Sequence, residues 1–172
     1  MRFRTLRTRG SMRVTVKHLD PMRVAFLRHL GPYVQAGGTW EKFFRLMREG
    51  GHLPDTIVMI GICHDDPAMT PPQKIRYDAC LPVGGDFEPA GEIGVKTIAG
   101  GLYAVTRHVG SYNELAGSYG ELLGRWLPLS GYEPRDAPSF QIHINTPRNA
   151  APDELMTDLY LPLAEPHERT RR

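Results

Sequence analysis

The sequence predicts an α+β fold made of two tandem duplicated βαββ modules, with antiparallel sheets, helices on one face and a ligand groove between the two halves. The main observation is an internal repeat. Residues 28–33, Arg-His-Leu-Gly-Pro-Tyr, recur 79 positions later as residues 107–112, Arg-His-Val-Gly-Ser-Tyr. Five further residues recur 80 positions on in the same order: Pro67, Pro72, Asp78, Leu81 and Pro82 return as Pro147, Pro152, Asp158, Leu161 and Pro162. Two half-domains related by a pseudo-two-fold axis leave a cleft at their junction, where ligand sites preferentially form.

The first module is predicted as two strands, a helix and a hairpin. Strands are expected at 14–19 and 23–30, which are rich in Val, Leu and Phe and are separated by Asp20-Pro21. Large apolar residues then recur at helical spacing from position 40 to 47, after an N-cap at Thr39 and before the stop at Gly50. Runs at 56–63 and 75–83, joined by a Pro-rich segment, predict the hairpin.

The second module repeats this order after a linker at 84–94. Strands are predicted at 95–98 and 102–108, a helix at 112–126 before Pro128 and Gly131, and a hairpin from 139–145 and 154–163. Because each helix can cover only one face of its sheet, we expect the opposite face to build the groove.

The chain divides into a basic leader at 1–11, a domain at 12–165 with repeat halves at about 12–83 and 94–163, and a charged tail at 166–172. The leader is expected to be disordered, or not native if Met12 is the natural start. Its arginines could contact nucleic acid, but a solvated tail is favoured, and the net charge is only +2. The chain has no apolar run long enough to span a membrane and no signal peptide, and its two cysteines are expected to be reduced thiols, so we predict a cytoplasmic protein.

Strand alternation selects the residues expected to face the groove. In the strand at 139–145, Phe140, Ile142 and Ile144 should face the helices, and the residues between them the groove. In the strand at 154–163, the odd-numbered residues from 155 to 161 should face the helices and the even-numbered ones the groove. The candidate ligand-binding residues are Gln141, His143, Asp158, Tyr160, Trp126, Met156 and Asp78. Strands facing plain solvent alternate in the same way, but they usually lack groups as large as those at 156 and 160.

The histidines favour structural roles over metal binding. His29 and His108 occupy equivalent positions at strand ends, where hydrogen bonds to a turn are expected. His64 and His143 could approach each other across the seam, but zinc would lack a clear third ligand. The sequence has no nucleophile elbow, phosphate-binding glycine loop, His-Glu-x-x-His or Cys-x-x-Cys motif. We therefore expect no metal, no cofactor and no assigned catalytic residue.

The two tryptophans receive different predictions. Both occupy core-facing helical positions. Trp40 is predicted to be plain core, and Trp126 to be either core or a wall of the pocket.

Several segments together resemble the GyrI-like small-molecule-binding domain, also called the AraC-type effector-binding domain, from about residue 14 to 163. They are 65–78 in the first half, and 100–105, 107–112, 126–132, 138–140, 145–147 and 157–163 in the second. The resemblance implies a duplicated βαββ architecture with a ligand pocket between the halves. It also implies a pocket glutamate in a Phe-Glu-x-Tyr pattern on the penultimate strand. This chain has Phe140-Gln141-Ile142-His143 there, so the acidic and the aromatic member are both changed.

The resemblance offers three functions. Family members sense hydrophobic, often cationic compounds, bind gyrase and protect against toxins, or hydrolyse cyclopropane-bearing alkylating agents. We expect a stand-alone domain that senses or sequesters amphipathic aromatic or apolar compounds, because neutral Gln cannot offset the desolvation of a cation. The alternatives are inhibition of DNA gyrase or a similar partner, and hydrolysis of strained electrophiles, in which His143 or Asp158 would position water and Tyr160 would donate a hydrogen bond. A separate regulator protein could also be a partner, whereas direct contact with nucleic acid or membrane is not expected.

Overall fold

A computed structural model describes residues 12–166 as eight strands and three α-helices. The strands are β1 (Val14–Leu19), β2 (Met22–Leu30), β3 (Met59–Cys63), β4 (Arg76–Pro82), β5 (Gly94–Ile98), β6 (Gly101–Val109), β7 (Ser139–His143) and β8 (Met156–Leu163). The helices are α1 (Gly37–Glu49), α2 (Leu115–Glu121) and α3 (Leu127–Ser130), with a π-helical turn (Leu122–Trp126) between α2 and α3. The predicted leader and all but the first residue of the predicted tail lie outside the described residues. In the part of the chain that is described, no helix is both long and apolar enough to cross a membrane.

All eight strands form one antiparallel sheet in the order β1-β6-β8-β7-β3-β4-β2-β5. The predicted fold class is confirmed, with the sheets of the two halves joined edge to edge through β3 and β7. The opening strand of each half pairs with the other half: β1 pairs with β6, and β5 pairs with β2. Separating the halves would therefore break three strand ladders rather than one.

The pairing of β3 with β7 locates the pseudo-two-fold axis. Gly61 lies directly opposite Gln141 in this pair. The same two residues are 80 positions apart, which is the offset of the repeat over these strands. Because they are partners both in the ladder and in the repeat, the axis passes between them.

One face of the sheet is covered by the helices. Phe43 and Met47 of α1 pack with Leu27 and Ala79, and Leu122 of the π-helical turn packs with buried residues of β8. Leu161 belongs to the same cluster as Leu122, so the odd-numbered residues of β8 face the helices as predicted.

The opposite face is closed by its own side chains. Phe140 packs there with Ile62, Cys80 and Tyr103, in a cluster that contains no residue of the helices among the described residues. The Phe140 ring stacks on Tyr160, with ring centroids 4.5 Å apart.

The predicted phase of the strand at 139–145 is therefore wrong, and so is the placement of the groove on the face away from the helices. Phe140 and Ile142 lie away from the helices, while Ile144 lies beyond β7 and is exposed. Alternation separates the residues of the strand into two faces. It could not show which face meets the helices, because the sheet has an apolar environment on each side.

Repeated hydrogen bonds hold the strand-to-helix turns. His29 Nε2 lies 3.1 Å from the carbonyl oxygen of Pro32, and its Nδ1 lies 2.9 Å from Thr39 Oγ1. His108 makes the equivalent contacts, 3.1 Å to the carbonyl of Ser111 and 2.7 Å to Ser118 Oγ. The structural role predicted for both histidines is confirmed.

Two Gly-to-Ala changes should have opposite effects on stability. A Cβ at Gly61 would lie 2.2 Å from Tyr77 Oη, so Gly61→Ala should destabilise the protein by about 1–3 kcal/mol through overpacking. Gly117 is exposed within α2, and a Cβ there would meet no atom within 4 Å, so Gly117→Ala should stabilise by about 0.5–1 kcal/mol through helix propensity. Urea denaturation of both variants measures the difference. Equal shifts in the same direction would contradict the close approach of Tyr77 to Gly61.

Candidate functional site

A groove of about 1200 Å³ lies between α1 and α2, above the centre of the sheet. Both halves contribute to its walls. Four repeat-equivalent pairs among the lining residues are Tyr33 with Tyr112, Trp40 with Tyr119, Phe44 with Leu123, and Cys63 with His143. The groove thus lies on the pseudo-two-fold axis and is mainly aromatic and apolar.

Gln141 forms the centre of the floor, on the axis. It is buried, and its Oε1 accepts a hydrogen bond of 3.2 Å from Tyr119 Oη in α2. The Cys63 thiol of β3 approaches the same oxygen at 3.9 Å. Groups from both halves therefore hold the carbonyl end of this amide, and its Nε2 lies 3.5 Å from His143 Nε2.

His143 is held by aromatic neighbours. Trp40 Nε1 donates to Tyr77 Oη over 3.1 Å, and Tyr77 Oη in turn lies 3.4 Å from His143 Nε2. The imidazole also meets the Tyr112 ring edge to face, at 5.2 Å between centroids. Because Tyr77 and Gln141 can both donate towards Nε2, the geometry favours the tautomer with its proton on Nδ1. That Nδ1 is buried and has no hydrogen-bond partner among the described residues.

The floor is polar but uncharged near neutral pH. Burial lowers the pKa of His143 to about 4 and raises the pKa of the Cys63 thiol to about 12. Burial also raises the pKa values of Tyr77 and Tyr119. The floor can therefore exchange hydrogen bonds with a ligand, but it presents no formal charge to one.

Charged residues lie at the rim. Asp65 accepts hydrogen bonds from Arg76 Nη2 and Nε at 2.9 and 3.0 Å, which hold the pKa of Asp65 at about 2. The Asp65 backbone is tied to Tyr33, whose hydroxyl accepts from its N–H at 3.1 Å and donates to its carbonyl. Asp66, Glu41 and Arg148 also line the rim and are exposed, so both signs of charge occur there.

The structure does not bring the seven predicted site residues together. Gln141 and His143 lie in the floor of the groove, whereas Asp158, Tyr160, Trp126, Met156 and Asp78 do not line it. Residues directly opposite each other in an antiparallel pair share a face. Gln141 pairs with Leu159, and Asp158 pairs with Ile142. The predicted convergence of the two strands on one groove is therefore wrong.

The two aspartates form equivalent ion pairs instead. Asp158 binds Arg107 at 2.7 Å, and Asp78 binds Arg28 at 2.8 Å. Burial alone would raise the pKa of Asp78, but hydrogen bonds from His64, Arg28 and Lys96 outweigh it and hold that pKa well below its usual range. His64 thus contacts Asp78.

The remaining three predicted residues pack elsewhere. Tyr160 stacks on Phe140 on the face away from the helices, and Trp126 stacks on Tyr132 with 6.2 Å between centroids. Met156 is half-buried, and its N–H donates to Asn145 Oδ1.

Apart from His143, the aromatic residues that line the groove were not predicted as site residues from the sequence. Trp40, predicted to be plain core, is buried and lines the groove, while Trp126 is half-buried and packs against the core cluster that contains Leu122. Comparison of equivalent positions in the two repeats could have predicted this aromatic wall. Trp40 and Tyr119 are 79 positions apart and both aromatic, whereas the equivalent of Trp126 is the core residue Met47.

Within residues 12–166, no three His, Cys, Asp or Glu side chains are grouped so that they could hold a metal ion.

Comparisons with known proteins give a family, two relatives and a similar fold. The sequence matches the GyrI-like small molecule binding domain over residues 12–164. The probable transcriptional regulator YgiV of Escherichia coli (strain K12) is 35% identical over 126 residues, which cover 72% of this chain and 78% of that protein. The DNA gyrase inhibitor of Edwardsiella piscicida is 30% identical over 156 residues, 88% of this chain and 98% of that protein. The crystal structure of the EcmrR C-terminal domain is similar, with a TM-score of 0.74 and 19% identity, over 90% of this chain and 98% of that one. At that identity the likeness shows the fold alone.

The lowered pKa of His143 predicts a loss of stability in mild acid. The unfolded chain takes up this proton near pH 6.5 and the folded protein only near pH 4, so the free energy of unfolding should fall as the pH drops between these values. In His143→Gln that fall should be smaller by on the order of 2–3 kcal/mol. Urea denaturation from pH 7.5 to 4.5 measures it, with exposed His52→Gln as the control. Parallel curves for His143→Gln and the unchanged protein would show that the imidazole is not buried in its neutral form.

Proposed function

Because the chain belongs to the GyrI-like small molecule binding domain family, we propose that its groove binds amphipathic aromatic or apolar compounds and that the domain senses or sequesters them. The observation that carries this proposal is the groove itself. Its aromatic walls surround one buried amide, Gln141, at the centre of the floor. An apolar concave site with a few convergent polar groups is the usual form of a small-molecule site.

The walls and the floor would contribute differently to binding. Trp40, Phe44 and Tyr119 offer ring faces and apolar area, which supply affinity through burial and stacking. Gln141 and His143 offer hydrogen-bonding groups, which orient a ligand.

The uncharged floor favours neutral ligands. A cation entering the groove would lose its hydration and find the neutral Gln141 where the family pattern has a carboxylate. The buried carboxylate of Asp78 cannot replace it, since that side chain lies outside the groove and already has three basic partners.

Hydrolysis of strained electrophiles receives less support. That hypothesis combined His143 or Asp158 with Tyr160, but His143 lies in the groove while Tyr160 stacks on Phe140 on the other face of the sheet. General acid and base groups must reach the same substrate. We therefore propose binding rather than catalysis, and a cytoplasmic setting, where the free thiols of Cys63 and Cys80 would remain reduced.

Titration with N-phenyl-1-naphthylamine, an uncharged aromatic dye, tests the binding proposal. We expect saturable binding that raises the dye's fluorescence and the protein's melting temperature. Tyr119→Ala removes one wall and the hydrogen bond to Gln141, so it should weaken binding about tenfold, or about 1.4 kcal/mol. Tyr132→Ala is the matched control, because Tyr132 stacks on Trp126 outside the groove. No saturable binding, or equal losses in both variants, would contradict the proposal.

Inhibition of DNA gyrase is a second candidate, favoured by the Edwardsiella piscicida relative of that name, which is similar along nearly its whole length. This activity would require a protein partner and no small ligand. Purified protein should then reduce supercoiling by gyrase in the absence of any added compound, measured on relaxed plasmid with serum albumin as the control. Full supercoiling at a large molar excess of the protein would remove this candidate.

A further inference from the structure

The groove has two lobes related by the pseudo-two-fold axis. The axis passes between Gly61 and Gln141, directly under the groove. On one side of the axis, the wall above the sheet is Trp40 with Phe44 from α1. On the other side it is Tyr119 with Leu123, at the equivalent positions. Each lobe therefore presents one large aromatic residue and one further apolar residue to a ligand.

The size of the groove exceeds what one ring system needs. Ligand pockets commonly measure about 300–1,000 Å³, and this groove measures about 1200 Å³. A single aromatic ring in one lobe would leave the opposite wall uncovered. Two linked rings would cover both walls while losing the entropy of association only once.

Polar groups are available at the point where such a linker would lie. The Gln141 carbonyl already accepts from Tyr119 and meets the Cys63 thiol, while one of the two N–H groups of its amide is directed at His143 Nε2. The second N–H leaves a donor for a ligand carbonyl. His143 also lines the groove, and its Nδ1 is buried and without a partner among the described residues.

We propose that the groove selects an uncharged two-armed ligand: two planar aromatic groups joined by a short amide-like or urea-like linker. One arm lies beside Trp40 and Phe44, the other beside Tyr119 and Leu123, and the linker carbonyl accepts a hydrogen bond from Gln141. This inference rests on the proposed function and adds to it the class of ligand. A cationic linker would meet the same uncharged amide after losing its hydration, so the charged analogue is disfavoured.

Three matched probes test the proposal by isothermal titration. N,N′-diphenylurea has two arms and a neutral linker. Dibenzylammonium has two arms on a charged linker of the same length, and N-methyl-N′-phenylurea keeps the neutral linker with one arm. We expect one N,N′-diphenylurea per chain, bound at least about tenfold more tightly than either of the other two probes.

Variants of the two walls and of the floor test where the two arms and the linker of the ligand lie. Phe44 and Leu123 occupy equivalent positions of the repeat, and neither is fully buried. Phe44→Ala and Leu123→Ala should each weaken the binding of N,N′-diphenylurea several-fold. Gln141→Glu should reverse the preference, so that dibenzylammonium binds more tightly than N,N′-diphenylurea. A melting curve for each variant confirms that it is folded.

The outcomes separate this proposal from the more general one. If N-phenyl-1-naphthylamine binds but the one-armed urea binds as tightly as the two-armed urea, the two-lobed ligand is overturned while a small-molecule groove stands. Equal affinity for dibenzylammonium overturns the selection against charge. If neither the dye nor any of the three probes binds, both proposals fail.

Discussion

The pairing of β3 with β7 is the contact on which both the sheet and the groove depend. It joins the two halves at the centre of the sheet, and the pseudo-two-fold axis passes through it between Gly61 and Gln141. A ladder that crosses its own symmetry axis must place one residue opposite its repeat equivalent. Divergence of the two copies can then place a polar side chain in one copy and no side chain in the other, as with Gln141 and Gly61. The absence of a side chain at Gly61 also leaves the space that Tyr77 occupies.

The exchange of opening strands makes this central contact part of one continuous sheet. Because β1 of the first half pairs with β6 of the second, and β5 of the second half pairs with β2 of the first, each half is completed by the other. The sheet then has apolar side chains on both faces: one face packs against the helices and the other packs on itself. The helices cover only part of their face, and the groove is the region between them above the central pair.

The arrangement of charges keeps ions away from the groove floor. Each half has an Arg–Asp pair at equivalent positions, Arg28 with Asp78 and Arg107 with Asp158, and neither aspartate lines the groove. The floor retains an amide, which does not ionise, and groups whose pKa values burial shifts towards the neutral form. A buried polar group without charge costs far less free energy to desolvate than an ion does. The desolvation penalty for a neutral molecule that binds to this floor is therefore small.

The sequence by itself determined the duplication, the order of elements in each module and the structural role of His29 and His108. These follow from local patterns, since repeats, apolar periodicity and turn residues act over a few neighbouring positions. The phase of β8 could also be predicted from alternation. Gln141 and His143 were expected to face the groove, and they do, but only because the predicted β7 phase and the predicted groove face were both wrong and the two errors cancel. The tertiary structure decided the rest. Which side of β7 faces the helices, which partner each opening strand takes, and whether Trp40 or Trp126 reaches the groove all depend on contacts between elements far apart in the sequence. Alternation records only that two faces differ, and no local pattern states what will cover each of them.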